Sequence, residues 1–210
     1  ALRRSVTALA TAVVVLACLA SAPPASAQSA SARDERYVVI TRQIGELLTT
    51  MEANAQAYPQ VLEGIRTKRE NAEKADETIT RLTTELKQAI DRMDDRSEFS
   101  AHIKAVETDY SKLIDEAKAS NDATIKALVP GFETRLAALR AADAQRANTI
   151  IEARNLVRDF EDGRRRLDFM IRANALSEAV DLLSKQVTSF VEIVGRGKQV
   201  MKGIAEASAP

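Results

Sequence analysis

From Tyr37 onward apolar residues return every three or four positions: Tyr37, Ile40, Ile44, Leu47, Met51, Tyr58, Val61 and Ile65, then Ala72, Ala75, Ile79, Leu82, Leu86, Ala89 and Met93. Only Asn54 and Lys68 interrupt this heptad seam, whose single register predicts a long coiled-coil-like helix. Pro59 falls inside the seam without shifting it, which predicts a kink rather than a loop. Alanine, leucine, glutamate and arginine dominate between Ala32 and Val194, and no strand pattern is evident there.

The polar run DRMDDRSEF (91–99) predicts the first corner, with Asp95 and Glu98 as the start signal of the next helix. The seam resumes at Phe99, Ile103, Val106, Tyr110, Leu113, Ala117, Ser120, Thr124 and Leu128. VPGF (129–132) interrupts it, and a further seam runs Phe132, Leu136, Leu139, Asp143, Arg146, Ile150, Ala153, Val157, Phe160. Folding the chain back near residue 96 brings Pro59 and Pro130 to nearly one height. It also pairs Leu82 with Tyr110, Ala72 with Ser120, Lys68 with Thr124 and Val61 with Phe132, at the near-constant index sum of an antiparallel hairpin.

In FEDGRRR (160–166) charge and apolar phase disagree. An unbroken helix sets Glu161 and Asp162 four residues before Arg165 and Arg166, a favourable spacing, whereas a break at Gly163 sets each group against the macrodipole by about 0.3–1 kcal/mol. Yet the apolar stripe beyond the glycine (Phe169, Ala173, Leu176, Val180, Leu183, Val187, Phe190, Val194) is out of phase with the one before it. Several apolar side chains at roughly 1.5–3 kcal/mol each outweigh screened surface charge, so the expectation is a corner at Gly163.

The expected architecture is all-α: an elongated antiparallel coiled-coil hairpin arm (60–129), kinked near Pro59 and Pro130, on a three-helix bundle base (33–58, 131–162, 164–194). Gly195 ends the last helix and 195–210 form a short tail. A continuous helical rod is the rival.

The start of the chain changes the setting. Arg3 and Arg4, an apolar run from Val6 to Leu19 and Ala25-Ser26-Ala27 have the form of a signal peptide cleaved after Ala27. The run is shorter than the ~20 residues of a spanning helix. The alternatives are lipidation at Cys18 in VLAC and an uncleaved anchor. Residues 28–210 are then a single all-helical domain of formal charge −2 without cysteine, stabilised by packing alone. That balance gives no reason to expect nucleic acid as a partner.

Chemistry is sparse. One histidine, His102, stands beside the seam and is read as a solvated or edge residue; there is no zinc-protease, nucleophile-elbow, Walker or dinucleotide pattern. One histidine cannot supply the two Glu-x-x-His motifs of a di-metal bundle. The expectation is no catalytic residue, no metal and no cofactor. Asp143 and Arg146 are read as a salt-bridged polar layer fixing register against Leu47, Met51, Val180 and Leu183.

Three surface candidates remain. Arg33, Arg36, Arg164, Arg165 and Arg166 are expected to meet as an anion-binding end facing lipid headgroups or an envelope polymer. Asp94, Asp95, Arg96 and Glu98 form the arm tip, a contact site. Pro59, Lys68, Ala72, Ala75, Ala117, Ser120, Thr124 and Pro130 form a flexible neck, small and polar on both helices.

The functional expectation is an exported, non-enzymatic protein of the bacterial envelope, periplasmic or secreted, and homo-oligomeric. It works through protein contacts as a scaffold, adaptor or spacer. The alternatives are a periplasmic holdase-type chaperone and a lipid-binding kinked helical dimer.

Overall fold

The structure, a computed structural model, describes residues 25–67 and 73–208, with side chains described for 35–67 and 74–208. Every regular element among them is a helix: α1 (Ala25–Arg66), α2 (Glu73–Met93), α3 (Glu98–Ala119), the single turn α4 (Ala123–Lys126), α5 (Val129–Arg172) and α6 (Leu176–Ser208). The all-helical expectation holds, and Pro59 sits inside α1.

The helices form four antiparallel columns. α1 is the first, α2 and α3 end to end are the second, α5 the third and α6 the fourth. Cross-links between them fix the register. Asn54 on α1 donates to Glu85 on α2, and Arg36 near the start of α1 reaches Glu98 on α3. Thus α2 and α3 run back along successive parts of α1. α5 returns along both, through Lys87–Glu161 at 2.8 Å and Lys118–Glu133 at 2.7 Å. α6 returns along α5 through Arg196–Glu152 at 2.6 Å and touches α1 through Lys198–Glu52. At ~1.5 Å per residue the 44 residues of α5 make a rod about 65 Å long.

The expected arm is therefore corrected. α2 and α3 scarcely touch each other; α2 packs on α1 and α5, and α3 chiefly on α5. The break at 94–97 bends the column instead of reversing it. Ser97, rather than Asp95, caps α3, its hydroxyl accepting from the Ser100 amide at 3.1 Å. A two-helix arm covers only one side of each helix. Ile79, Leu82, Leu86 and Met93 of α2 and Phe99 and Ile103 of α3 are instead all under 5 % exposed.

The true reversals lie elsewhere: between α1 and α2, around 120–128, and at 173–175. Ser120 ends α3, Asp122 caps α4 by accepting from the Thr124 amide at 2.7 Å, and Pro130 sits in the first turn of α5, where its missing N–H loses nothing. Asn174 takes a left-handed φ of 55° and closes α5, the Ala175 amide donating to Met170 O at 2.8 Å.

The expected corner at Gly163 is also absent, for α5 runs through it. The charge argument prevails because the apolar penalty is small: Leu167 stays buried, and Phe169, at 72 % exposed, is the one large residue of the later stripe that α5 leaves out. Gly195 likewise does not stop α6, whose Val200, Met201, Ile204 and Ala207 are buried.

Candidate functional site

Among the described residues polar groups enter the interior at several places, of which three join helices through a charged or amide side chain. At the first stands Arg146, 1 % exposed and the largest fully buried side chain among the described residues. From α5 it reaches into the bend between α2 and α3. Its guanidinium donates to Asp143 Oδ1 at 2.6 Å, to Asp95 Oδ1 at 2.8 Å and to the carbonyl of Met93, the last residue of α2, with a longer contact to Ser100 Oγ at 3.5 Å. Burial alone lowers the pKa of Arg146, but hydrogen bonds and charge from Asp143 and Asp95 outweigh it and raise it. The hydrogen bond from Arg146, followed by its charge, holds Asp95 below the ordinary carboxylate range. Arg154 pairs with Asp94 beside it. The expected polar layer of Asp143 and Arg146 exists, but it faces the α2–α3 bend.

The second place answers why a glycine sits mid-helix. A Cβ on Gly163 would lie 2.2 Å from Nε2 of Gln186. The bare backbone admits that buried amide, which donates to Asp159 O at 2.9 Å, while its Oε1 stays unpartnered. The third place joins α1 to α2. Glu85 accepts from Asn54 and lies 3.5 Å from Arg81, and its Oε2 and the hydroxyl of the adjacent Tyr58 are both buried without a partner. Desolvation raises the pKa of Glu85 against the hydrogen bond from Asn54 and the charge of Arg81. Desolvation, helped by the charge of Glu85, pushes Tyr58 up to about 12.

His102 is partly buried and stacks on Tyr37 with centroids 3.7 Å apart, Tyr37 stacking in turn on Phe99 at 6.1 Å. Among the described residues no group of His, Cys, Asp and Glu is placed to hold a metal ion, and no helix is long and apolar enough to cross a membrane.

The expected surface sites disperse. Arg33 lies outside the described side chains. Arg36 pairs with Glu98 at the level of the bend, about 27 Å along α5 from Arg164 at ~1.5 Å per residue. Arg164 is engaged by Asp76, with Nη2 to Oδ2 at 2.6 Å, while Arg165 and Arg166 are exposed. The four described arginines thus do not converge. The expected tip residues lie part-way along the second column, Asp94, Asp95 and Glu98 paired with Arg154, Arg146 and Arg36, and Arg96 exposed.

Of the expected neck, Lys68 and Ala72 fall outside the described residues. Ala75 and Ala117 are buried at opposite ends of the second column, and Pro59 lies within α1. Ser120 and Thr124 belong to the α3–α5 connection, and Pro130 to the first turn of α5. Gln186, between seam residues Leu183 and Val187, is a buried polar group the pattern passed over.

Among the described residues a void and a groove stand out. A void of about 20 Å³ lies in the four-helix centre among Met51, Leu86, Ile150 and Ile193, and an open groove of about 270 Å³ runs between α1 and α6 past Pro59, Leu62, Val180 and Val187. No protein family, curated protein or solved structure matches the chain.

Proposed function

We propose that this chain is an exported, non-enzymatic helical protein that acts through protein contacts as a scaffold, adaptor or spacer in a bacterial envelope, and that it does so as a homo-oligomer. The observation that carries the reading is where apolar side chains are left uncovered. Phe169 at 72 % and Ile151 at 55 % exposed stand on the outside of a long rod, away from both hollows. Arg146, Gln186 and Glu85 each join neighbouring helices, which suits a rigid spacer. The holdase alternative wants a larger apolar cavity than the α1–α6 groove, and the lipid-binding alternative a continuous basic face that α5 interrupts with Asp162.

Export rests on the amino-terminal pattern, with cleavage after Ala27 in the reading preferred and lipidation at Cys18 as the alternative. The test is a photo-crosslinker at Leu128, another exposed apolar residue, 48 % accessible in the α3–α5 connection, introduced in the native host. One or two discrete envelope adducts support the adaptor. A smear of unfolded chains supports the holdase, and a protein retained in the cytoplasm refutes export.

A further inference from the structure

The outer face of α5 carries a self-complementary pattern. Ile151 and Phe169 are separated by a whole number of turns at ~3.6 residues per turn, so both point away from the bundle on one face, about 27 Å apart. Between them on that face lie Asn155, Arg158, Asp162 and Arg165, all exposed. The row is apolar at both ends, carries opposite charges at Arg158 and Asp162 about its centre, and has Asn155 and Arg165 at equal distances between centre and ends. Two such faces laid antiparallel about a two-fold axis between Arg158 and Asp162 set Ile151 of each against Phe169 of the other. Arg158 then opposes Asp162, and Asn155 opposes Arg165, each pair occurring twice as an isologous contact requires.

We infer that the outer face of α5 is the dimer interface of this protein, its occupant a second antiparallel copy of the same helix. This deepens the contact-protein reading above and rests on it for its role, though not for its geometry. A partner of one charge sign fits less well, because the face alternates Arg158, Asp162 and Arg165. A stable interface needs about 1,000 Å² of buried surface, and a face of this length approaches that only with both apolar ends seated. Loss of either end is therefore severe, and a substitution that sets like charges at the centre is opposed twice.

The test is sedimentation velocity of the full chain across a concentration series. The expected result is a reversible dimer whose dissociation constant rises at least tenfold in Phe169→Glu and in Ile151→Glu. Arg158→Glu weakens it likewise, and adding Asp162→Arg to that variant restores it. In a Cys18→Ser background, mixing Ile151→Cys with Phe169→Cys chains gives a 151–169 disulfide, while Ile151→Cys alone gives none. A monomer at every concentration, a dimer indifferent to both glutamate substitutions, or a 151–151 disulfide overturns the inference. So does a monomer that binds anionic vesicles or a different envelope protein through Phe169. A monomer that still gives discrete adducts from position 128 removes the dimer and leaves the adaptor reading. A dimer without such adducts does the reverse.

Discussion

Replacing Arg146 separates what its volume contributes from what its hydrogen bonds contribute. In Arg146→Ala the Met93 carbonyl loses its donor, and a buried acceptor left unpaired costs about 1–3 kcal/mol. The vacated side-chain space adds a cavity term like that of a large-to-small core change, of order 2–5 kcal/mol before relaxation. The two carboxylates soften the loss: the Asp95 side chain is 71 % exposed and that of Asp143 23 %, so both regain water. Uncompensated buried charge, the usual reason that breaking an ion pair is severe, is thus largely avoided.

The expected destabilisation is about 3–5 kcal/mol for Arg146→Ala. For Arg146→Met, which keeps the volume, it is about 1–2 kcal/mol. For Asp95→Asn it is under about 1 kcal/mol, since an exposed partner contributes little. Urea denaturation followed by helical circular dichroism measures all three. An Arg146→Ala variant within about 1 kcal/mol of the parent, or an Arg146→Met variant as unstable as Arg146→Ala, would refute the reasoning.

Gly163→Ala gains up to about 1 kcal/mol of helix propensity but evicts the Gln186 amide. A net loss of roughly 1 kcal/mol is expected, recovered in part by Gln186→Ala, as denaturant midpoints will show. Gly195→Ala has open space around the new methyl and lies inside α6. It should stabilise by about 0.5–1 kcal/mol, and a thermal midpoint that falls instead would mean that α6 ends there. Because burial raises the pKa of Glu85, the folded state binds its proton more tightly than the unfolded chain. That contribution is full below the ordinary carboxylate range and is lost as pH rises through the raised value. The advantage of Glu85→Gln over the parent should therefore grow from acid towards neutral pH in paired melting curves, and a constant difference contradicts it.

The heptad seams revealed the helices but not their partners. Ile79, Leu82 and Leu86 satisfy a seam against any apolar helix, so a fold-back near residue 96 paired them plausibly with α3 although they face α1 and α5. Pairing Pro59 with Pro130 carried little weight for a related reason: one lies inside a helix and the other starts one, and spacing does not distinguish these uses. At Gly163 the local charges were the better guide. The apolar stripe misled because its first member, Phe169, is left outside, Ala173 ends α5, and the members from Leu176 onward belong to α6. Arg146 was legible as a polar intrusion in a seam, but its targets, a bend and a helix-ending carbonyl, exist only once the column forms. Gln186 carried a signal in its spacing from Leu183, and its docking site was visible only as a glycine read as a corner.

The claim on which the bend, the core and the free outer face of α5 all depend is that residues 73–119 run as one bent column. Spin labels at Glu77 and Asp115, both exposed, test it by pulsed dipolar distance measurement. At ~1.5 Å per residue along two helices end to end, the account predicts a distance near about 50 Å. A dominant distance under about 20 Å, as two neighbouring helices ~8–10 Å apart would give with label arms, would restore the hairpin and contradict the bundle.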